Sequence, residues 1–344
     1  MPDAAPTTTT RAPAPDSAPA SEDGRDIVGL ALRFALLIGL VALVVFFSIR
    51  SDLFLTSGNL KNIALSSAVL LIIAVPLALL VIMGVVDLSV GSVVGLTGVV
   101  TGLLIVDHSV PWALAALLGI AVGTIAGFLN GLLVSYSRLS PIIVTLGSLQ
   151  FYRGLTQSLR DNPPAGFGHG MELLGRGLLV GVPVSVWIAT TVFAIGAFVL
   201  YGTPWGRYVY ALGVNQEAAF LSGIATRKLP TIIFAATGAA AGLGGVLFAA
   251  RLDAAPPGTL GVGLELDVLT AVLLGGVAFS GGRGTMFGVL LGVVFLGVLR
   301  NGMTLLNVSD HTQAMATGAA LVIGAGLDEL SQRSQILRSI VKRR

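Results

Sequence analysis

The sequence predicts an all-α integral membrane protein of about ten transmembrane helices with both termini in the cytoplasm. Three observations carry this. Hydrophobic residues make up 54% of the 344 and charged residues only 11%, more apolar surface than a soluble domain can hide. Apolar runs near the length of a bilayer-spanning helix recur from Ile27 almost to the C-terminus. Lys and Arg sit mostly between those runs, where they read as a topology signal and not as a nucleic-acid patch.

Residues 1–26, rich in Ala, Pro and Thr, predict a disordered cytoplasmic tail whose apolar content cannot offset ordering entropy. No basic segment opens them as in a signal peptide, and the run from Ile27 to Ile49 lacks a clean cleavage site, so it reads as a retained first membrane helix. Further runs stand at 60–83, 90–106, 111–134, 141–158, 182–202, 229–250, 266–280, 284–305 and 312–328. Two of them, 141–158 and 266–280, are short for a span and predict broken or re-entrant helices buried in the bundle. The membrane domain thus covers 27–330, and 331–344 is a basic cytoplasmic tail.

Placing the N-terminus inside gathers Arg138, Arg207, Arg227, Lys228, Arg283 and the basic C-terminal residues in the cytoplasm, with Arg11 and Arg25. Arg50, Lys61, Arg160, Arg176 and Arg251 then stay outside. Of the 45 glycines, Gly119, Gly123 and Gly127 share one helix face and favour close helix approach. The exterior segments 159–181 and 251–267 are long enough to dock another protein.

Several chemistries are excluded. Without cysteine there is neither a disulfide nor a thiolate metal site, and His108, His169 and His311 are scattered near helix ends. Metal and nucleic acid are therefore not expected as ligands. None of the lysines, Lys61, Lys228 and Lys342, completes a phosphate cradle. The run Gly281-Gly282-Arg283-Gly284 reads instead as a tight turn between helices. No nucleophile, base and orienting acid stand together as an enzyme requires. A secondary transporter would place relay charges deep in its spans, whereas these carboxylates lie near predicted ends. A faint likeness between Gly84–Ser92 and Gly276–Gly284 hints at an internal repeat.

Three groups of polar residues remain. In the loop Ala211–Ile224, Ala218, Ala219 and Leu221 form one side of a short amphipathic helix that Gly223 can stop, either a lever for a partner or an ordinary interfacial helix. Asp87 and Ser89 can accept hydrogen bonds from the free N–H groups opening the third helix, or gate the mouth of a path. Within the spans, Asn130, Thr145, Ser148, Gln150 and Asn301 can line a path for a polar solute or bond neighbouring helices. Arg33, Arg153 and Arg300 are costly at depth and are expected to pair with Glu265, Asp267 or lipid head groups.

Glu217-Ala218-Ala219 followed by Gly223 resembles the E-A-A-x-x-x-G loop of bacterial importer permeases. Gly213, Asn215, Ala218, Ala219, Ser222, Gly223 and Ile224 are similar to the G-x-N-x-x-A-A-x-x-S-G-I version of the ribose-type branch. Gly84 to Ser92 resembles the same family, the ribose, xylose, arabinose and rhamnose type of ABC transporter permease, with Val85-Val86 where the family often has Gly-Ile. So does Glu265-Leu266-Asp267 leading to Leu274-Gly275-Gly276 and Gly281-Gly282. The resemblance implies a permease subunit in the bacterial inner membrane that moves a pentose, rhamnose or similar sugar inward. It further implies an ABC ATPase partner that binds the ATP, so that this chain needs no cofactor. An extracytoplasmic sugar-binding protein and a second permease copy or paralogue complete the implied assembly, set in membrane lipid. Residues 211–224 become the coupling helix, with Asn215, Glu217, Ala218, Ala219, Ser222 and Gly223 against the ATPase. A branched-chain amino-acid permease is a near alternative, and the Asp-Leu-Ser and Ser-Gly-Ile details favour sugar.

Overall fold

The computed structural model describes residues 23–137, 139–323 and 326, with side chains from residue 36 onward. The tails at 1–22 and 331–344, the side chains of Arg25, Arg33 and Arg138, and the end of the 312–328 run lie outside the described residues. The described residues up to Ala35 belong to one unit and those from Leu36 onward to a second. All packing described below is within the second.

In chain order the helices are α1 (Asp23–Arg50), α2 (Ser57–Ile82), α3 (Val90–Val106), α4 (Trp112–Tyr136), α5 (Pro141–Leu159), α6 (His169–Arg176) and α7 (Val184–Gly202). They continue with α8 (Pro204–Val214), α9 (Gln216–Leu221), α10 (Lys228–Leu252), α11 (Leu264–Leu274), α12 (Met286–Leu305) and a helical stretch at 310–323, here α13. Since α1 begins at Asp23, the last four residues of the expected tail, 23–26, are helical. Strands β1 (Leu178–Leu179) and β2 (Val182–Pro183) form a small antiparallel ribbon between α6 and α7. The described fold is thus all-α apart from that ribbon and one isolated bridge. By length and composition α2, α4, α7, α10 and α12 can each cross a membrane.

Of the two runs expected to be broken or re-entrant, 141–158 is not broken. α5 is a single unbroken helix, started by Pro141 at a position where its missing N–H costs nothing. The other run yields α11, only 11 residues long, about 16 Å of helix against a hydrocarbon core of about 30 Å. Gly276, at φ +78°, ends α11, its N–H bonding Leu273 O and that of Val277 bonding Val272 O. The same device ends α2: Gly84, at φ +77°, donates to Val81 O and Val85 to Leu80 O. The likeness of Gly84–Ser92 to Gly276–Gly284 is therefore a repeated helix stop followed by a turn. Gly281, Gly282 and Gly284 all have positive φ in the tight turn that leads into α12.

The core centres on α2, whose residues from Leu71 to Ile82 are buried, with Ile72, Ile73, Leu77 and Leu80 fully so. α10 packs on α2 and α3 and most extensively on α4. Glycines permit that approach: a Cβ on Gly127 would overlap the Phe234 carbonyl oxygen, and one on Gly238 would overlap that of Gly123. Gly127→Ala adds about 1–3 kcal/mol of overpacking against a propensity gain of about 1 kcal/mol. The backbone on both sides cannot yield, so a net loss of about 1 kcal/mol is expected in a thermal unfolding midpoint. Gly147→Ala, which meets open space on α5, should not destabilise. Equal midpoints for the two variants would refute tight α4–α10 packing.

Outward faces of α4, α5 and α7 carry exposed Leu117, Phe151 and Phe198, as a lipid boundary requires. The 159–181 segment is more built than a free docking loop. Its Phe167 and Met171 bury themselves against Ala250, Ala255 and Leu260, and Ala165 bridges Ala254, so the segments 159–181 and 251–267 brace each other.

Candidate functional site

α8 starts with Pro204 and ends at Val214. Asn215 then closes α8 and opens α9: its extended backbone (φ −160°, ψ 106°) breaks the helix, and its Oδ1 accepts from the Ala218 N–H at 2.9 Å. The helix expected across 211–224 is therefore two, meeting at Asn215. α9 stops where Gly223 takes φ +81°, with Gly223 N–H bonded to Phe220 O at 2.9 Å and Ile224 N–H to Ala219 O at 3.1 Å. Ser222 Oγ donates back to Ala218 O at 2.9 Å.

The inward face of α9 differs from expectation. Only Ala219 of its six residues is buried, while Ala218 and Leu221 face outward, because a helix of fewer than two turns offers few inward positions. What results is an apolar tip, with Val214 75%, Phe220 63% and Leu221 79% exposed, beside the exposed carboxylate of Glu217. A groove of about 640 Å³ flanks it, walled by Tyr136, Pro141, Glu217, Phe220, Arg227 and Pro230. Arg227 stacks over the Tyr136 ring at 5.6 Å from its centroid. Such a tip beside a groove is the form of a protein contact surface.

Behind the tip, α8 bears directly on both helix breaks. Gly213 lies so close to the Ile82 carbonyl and the Gly282 N–H that a Cβ would overlap both, and Gly282 N–H itself donates to Ile82 O at 2.7 Å. Tyr210 Oη donates to Gly284 O at 2.7 Å, and Tyr201 Oη accepts from Met286 N–H at 2.9 Å. α8 and the end of α7 are thus in direct contact with the end of α2 and the turn at 275–285.

The first of those turns carries the polar residues singled out in the sequence. Asp87 Oδ1 accepts from the Ser89 N–H at 2.9 Å and from Ser89 Oγ at 2.7 Å. This corrects the expected capping: Ser89 is already helical (φ −84°, ψ −11°) and its side chain makes no cap bond to α3, since capping needs an extended residue there. Ser89 Oγ instead accepts from Asn130 Nδ2 of α4 at 2.8 Å, and Asn130 Oδ1 accepts from Ser148 Oγ of α5 at 2.6 Å. Tyr152, one turn beyond Ser148, donates to Ala126 O at 3.1 Å and to Asn130 Oδ1 at 3.4 Å. Asp87, Ser89 and Asn130 are buried. A continuous polar chain thus ties the α2–α3 turn to α4 and α5.

Comparison with known proteins agrees with this geometry. Residues 59–325 match the family model described as branched-chain amino acid transport system / permease component. The chain belongs to this permease family. Among its relatives, the ribose import permease protein of Haemophilus influenzae is 35% identical over 85% of this chain and 91% of its own length. That of Escherichia coli K12 is 37% identical, over 86% and 93% respectively. The D-allose transport system permease protein of E. coli K12 is 33% identical, over 84% and 89%. No solved structure was found to match it.

The remaining candidates of this permease fall in different places. Thr145 is buried on the α4-facing side of α5, but its hydroxyl turns back to Pro141 O at 2.9 Å. Gln150 is exposed on the opposite side of α5 and makes no hydrogen bond among the described residues. Asn301 exchanges two 2.8 Å bonds with Asn59 at the end of the bundle opposite α9. There Arg300 pairs with Asp267 at 2.5 Å, while Arg153 donates to the Leu260 carbonyl at 2.9 Å instead of to a carboxylate. Tyr152 is not singled out in the sequence, and Gly213 only as part of the ribose-type motif. The four-residue step from Ser148 to Tyr152, which puts both on one helix face, was the available signal for the first.

Proposed function

We propose that this chain is the membrane-spanning permease subunit of a bacterial ABC importer for a pentose or similar monosaccharide, set in the inner membrane. The observation carrying this reading is the match, over most of both chains, to permeases named for ribose and allose import. The exposed α9 tip supports a separate ATPase as driver, contacted by Asn215, Glu217, Ala218, Ala219, Ser222 and Gly223. ATP binds to that partner, in keeping with the missing phosphate cradle. A sugar-binding protein on the outside and a second permease copy or paralogue complete the importer. In this reading the chain contributes about ten membrane helices, α3 and α11 being the short ones, with α9 and both termini cytoplasmic. Asp87, Ser89, Asn130 and Ser148 form the link between coupling end and transport path, with Asn301 near the outer mouth.

The test is uptake in cells lacking their own ribose transport, expressing this chain with a candidate ATPase and binding protein from the same organism. Labelled ribose or allose should accumulate about tenfold or more above cells lacking the ATPase, the gain expected of an obligate partner. Accumulation of leucine without any sugar would overturn the substrate class. Single cysteines at Ser51, Ala165 and Pro256 should react with an impermeant thiol reagent in the same cells, and those at Ser137, Ser222 and Ser334 should not. Reaction at Ser222→Cys would reverse the orientation.

A further inference from the structure

At the end of the bundle opposite α9, the ends of α2, α10, α11 and α12 enclose a cavity of about 490 Å³. Its polar lining comes from Asn62, Ser66 and Ser67 of α2, Arg251 of α10, Asp267 of α11, Arg300, Asn301 and Thr304 of α12, and Gln313 of α13. Most of the acceptors there are already used. Asp267 takes Arg300 with both oxygens, at 2.5 Å each. Asn301 is occupied with Asn59, and Ser66 Oγ accepts from Arg251 Nη1 at 3.1 Å. Donors are left over. Arg300 Nε and Ser67 Oγ are buried without a partner among the described residues.

Arg251 pairs with no carboxylate among the described residues, since the nearby Asp253 accepts instead from the Phe167 N–H at 2.8 Å. A second guanidinium adjoins it, Arg176 Nε donating to the Arg251 carbonyl at 2.9 Å. Arg251 and Arg300 against Asp267 leave the lining with one net positive charge. A neutral polyol would leave the net positive charge of the lining uncompensated. An anion with several oxygens brings acceptors to donors that are free, together with the missing charge.

We propose that this cavity binds a phosphate group, presented either by an anionic phospholipid head group or as the free ion. Its place at the ends of apolar helices puts it at head-group depth, where basic pockets between helices take up anionic lipid. Arg300 Nε, Ser67 Oγ and the remaining N–H groups of Arg251, set on three different helices, suit a tetrahedral group better than a planar carboxylate.

The test uses the full-length chain, purified and stripped of lipid in a neutral detergent, with bound species read by native mass spectrometry. Phosphatidylglycerol, phosphatidylcholine and inorganic phosphate are titrated separately. One tightly held phosphatidylglycerol, without uptake of inorganic phosphate, supports the site with lipid as source. Binding of inorganic phosphate that displaces phosphatidylglycerol supports it with the free ion as source. Arg251→Gln should weaken whichever binds by about tenfold, while Arg251→Lys, keeping the charge, stays within about threefold. Should Arg251→Gln not fold, Ser67→Ala carries the comparison, with a loss of about threefold expected from one removed donor. Equal binding of phosphatidylcholine and phosphatidylglycerol without phosphate uptake, or undiminished binding by Arg251→Gln or Ser67→Ala, would overturn the proposal.

Discussion

Glu217→Arg should abolish import while leaving the membrane bundle folded. Glu217 is exposed in the first turn of α9, where a carboxylate is favoured by the free N–H groups of the helix start, and it makes no ion pair among the described residues. Reversing it costs the bundle little, about 0.5 kcal/mol for a surface change of this kind. At an interface with a basic rim on the ATPase, the same reversal brings like charges together at a cost of several kcal/mol, enough for about a hundredfold loss of coupling. The two magnitudes separate folding from function. Gly223→Val attacks the same element by another route, because a β-branched residue at φ +81° is sterically disfavoured and would misplace the end of α9. Membrane abundance, co-purification of the ATPase and sugar uptake are measured together for each variant. Normal uptake by both at wild-type abundance would remove α9 from the coupling mechanism.

The elements of this chain were legible in proportion to how locally they are determined. The apolar runs sit within a few residues of helices because lipid demands continuous intramembrane hydrogen bonding and a minimum apolar length. The stop at Gly223 and the cap at Asn215 are equally local, each settled within four residues. What could not be read is how separate segments meet. Asp87, Ser89, Asn130 and Ser148 belong to three helices and a turn, and their separate expected roles as cap, gate and path residues concealed one hydrogen-bonded chain.

Failures of local reading also had local causes. Ser89 looked like a cap because of its residue type and position, yet its backbone is already helical. The 141–158 run reads as broken or re-entrant because it is short for a span, but it forms one helix whose Ser148 and Tyr152 meet α4. Polarity on a buried helix face is a sign of partners, not of a break. The contact of Gly213 with Ile82 and Gly282 is set by the end of α8, the end of α2 and the turn before α12 arriving at one place, which no single window contains.

Asn130→Leu is expected to destabilise the permease by about 2–3 kcal/mol and to slow import beyond that loss. Leucine fits the volume, so the effect is one of hydrogen bonds. Asn130 joins Ser89 and Ser148 by short bonds and Tyr152 by a longer one. Interhelical bonds in membranes average about 0.6 kcal/mol each, which alone would give less than 2. Stranded partners supply the rest, at about 1–3 kcal/mol for a buried group left unsatisfied. Their burdens differ. Tyr152 keeps its bond to Ala126 and Ser89 still donates to Asp87, whereas Ser148 loses its only recorded acceptor and must turn to its own helix. Ser148→Ala, which removes that donor but leaves Asn130 held on both sides, should therefore cost only about 0.6 kcal/mol. Unfolding midpoints in a denaturing detergent series compare the two variants, and a double mutant with Ser89→Ala tests whether the chain acts as one unit. Coupling between Asn130→Leu and Ser89→Ala of about 1 kcal/mol is expected for residues sharing a network. Additive losses, or an Asn130→Leu midpoint equal to that of Ser148→Ala, would mean that the α2–α3 turn is not held through Asn130. In that case the α2–α3 turn would reach α5 only through the packing of α3 on α5 and not through the polar chain.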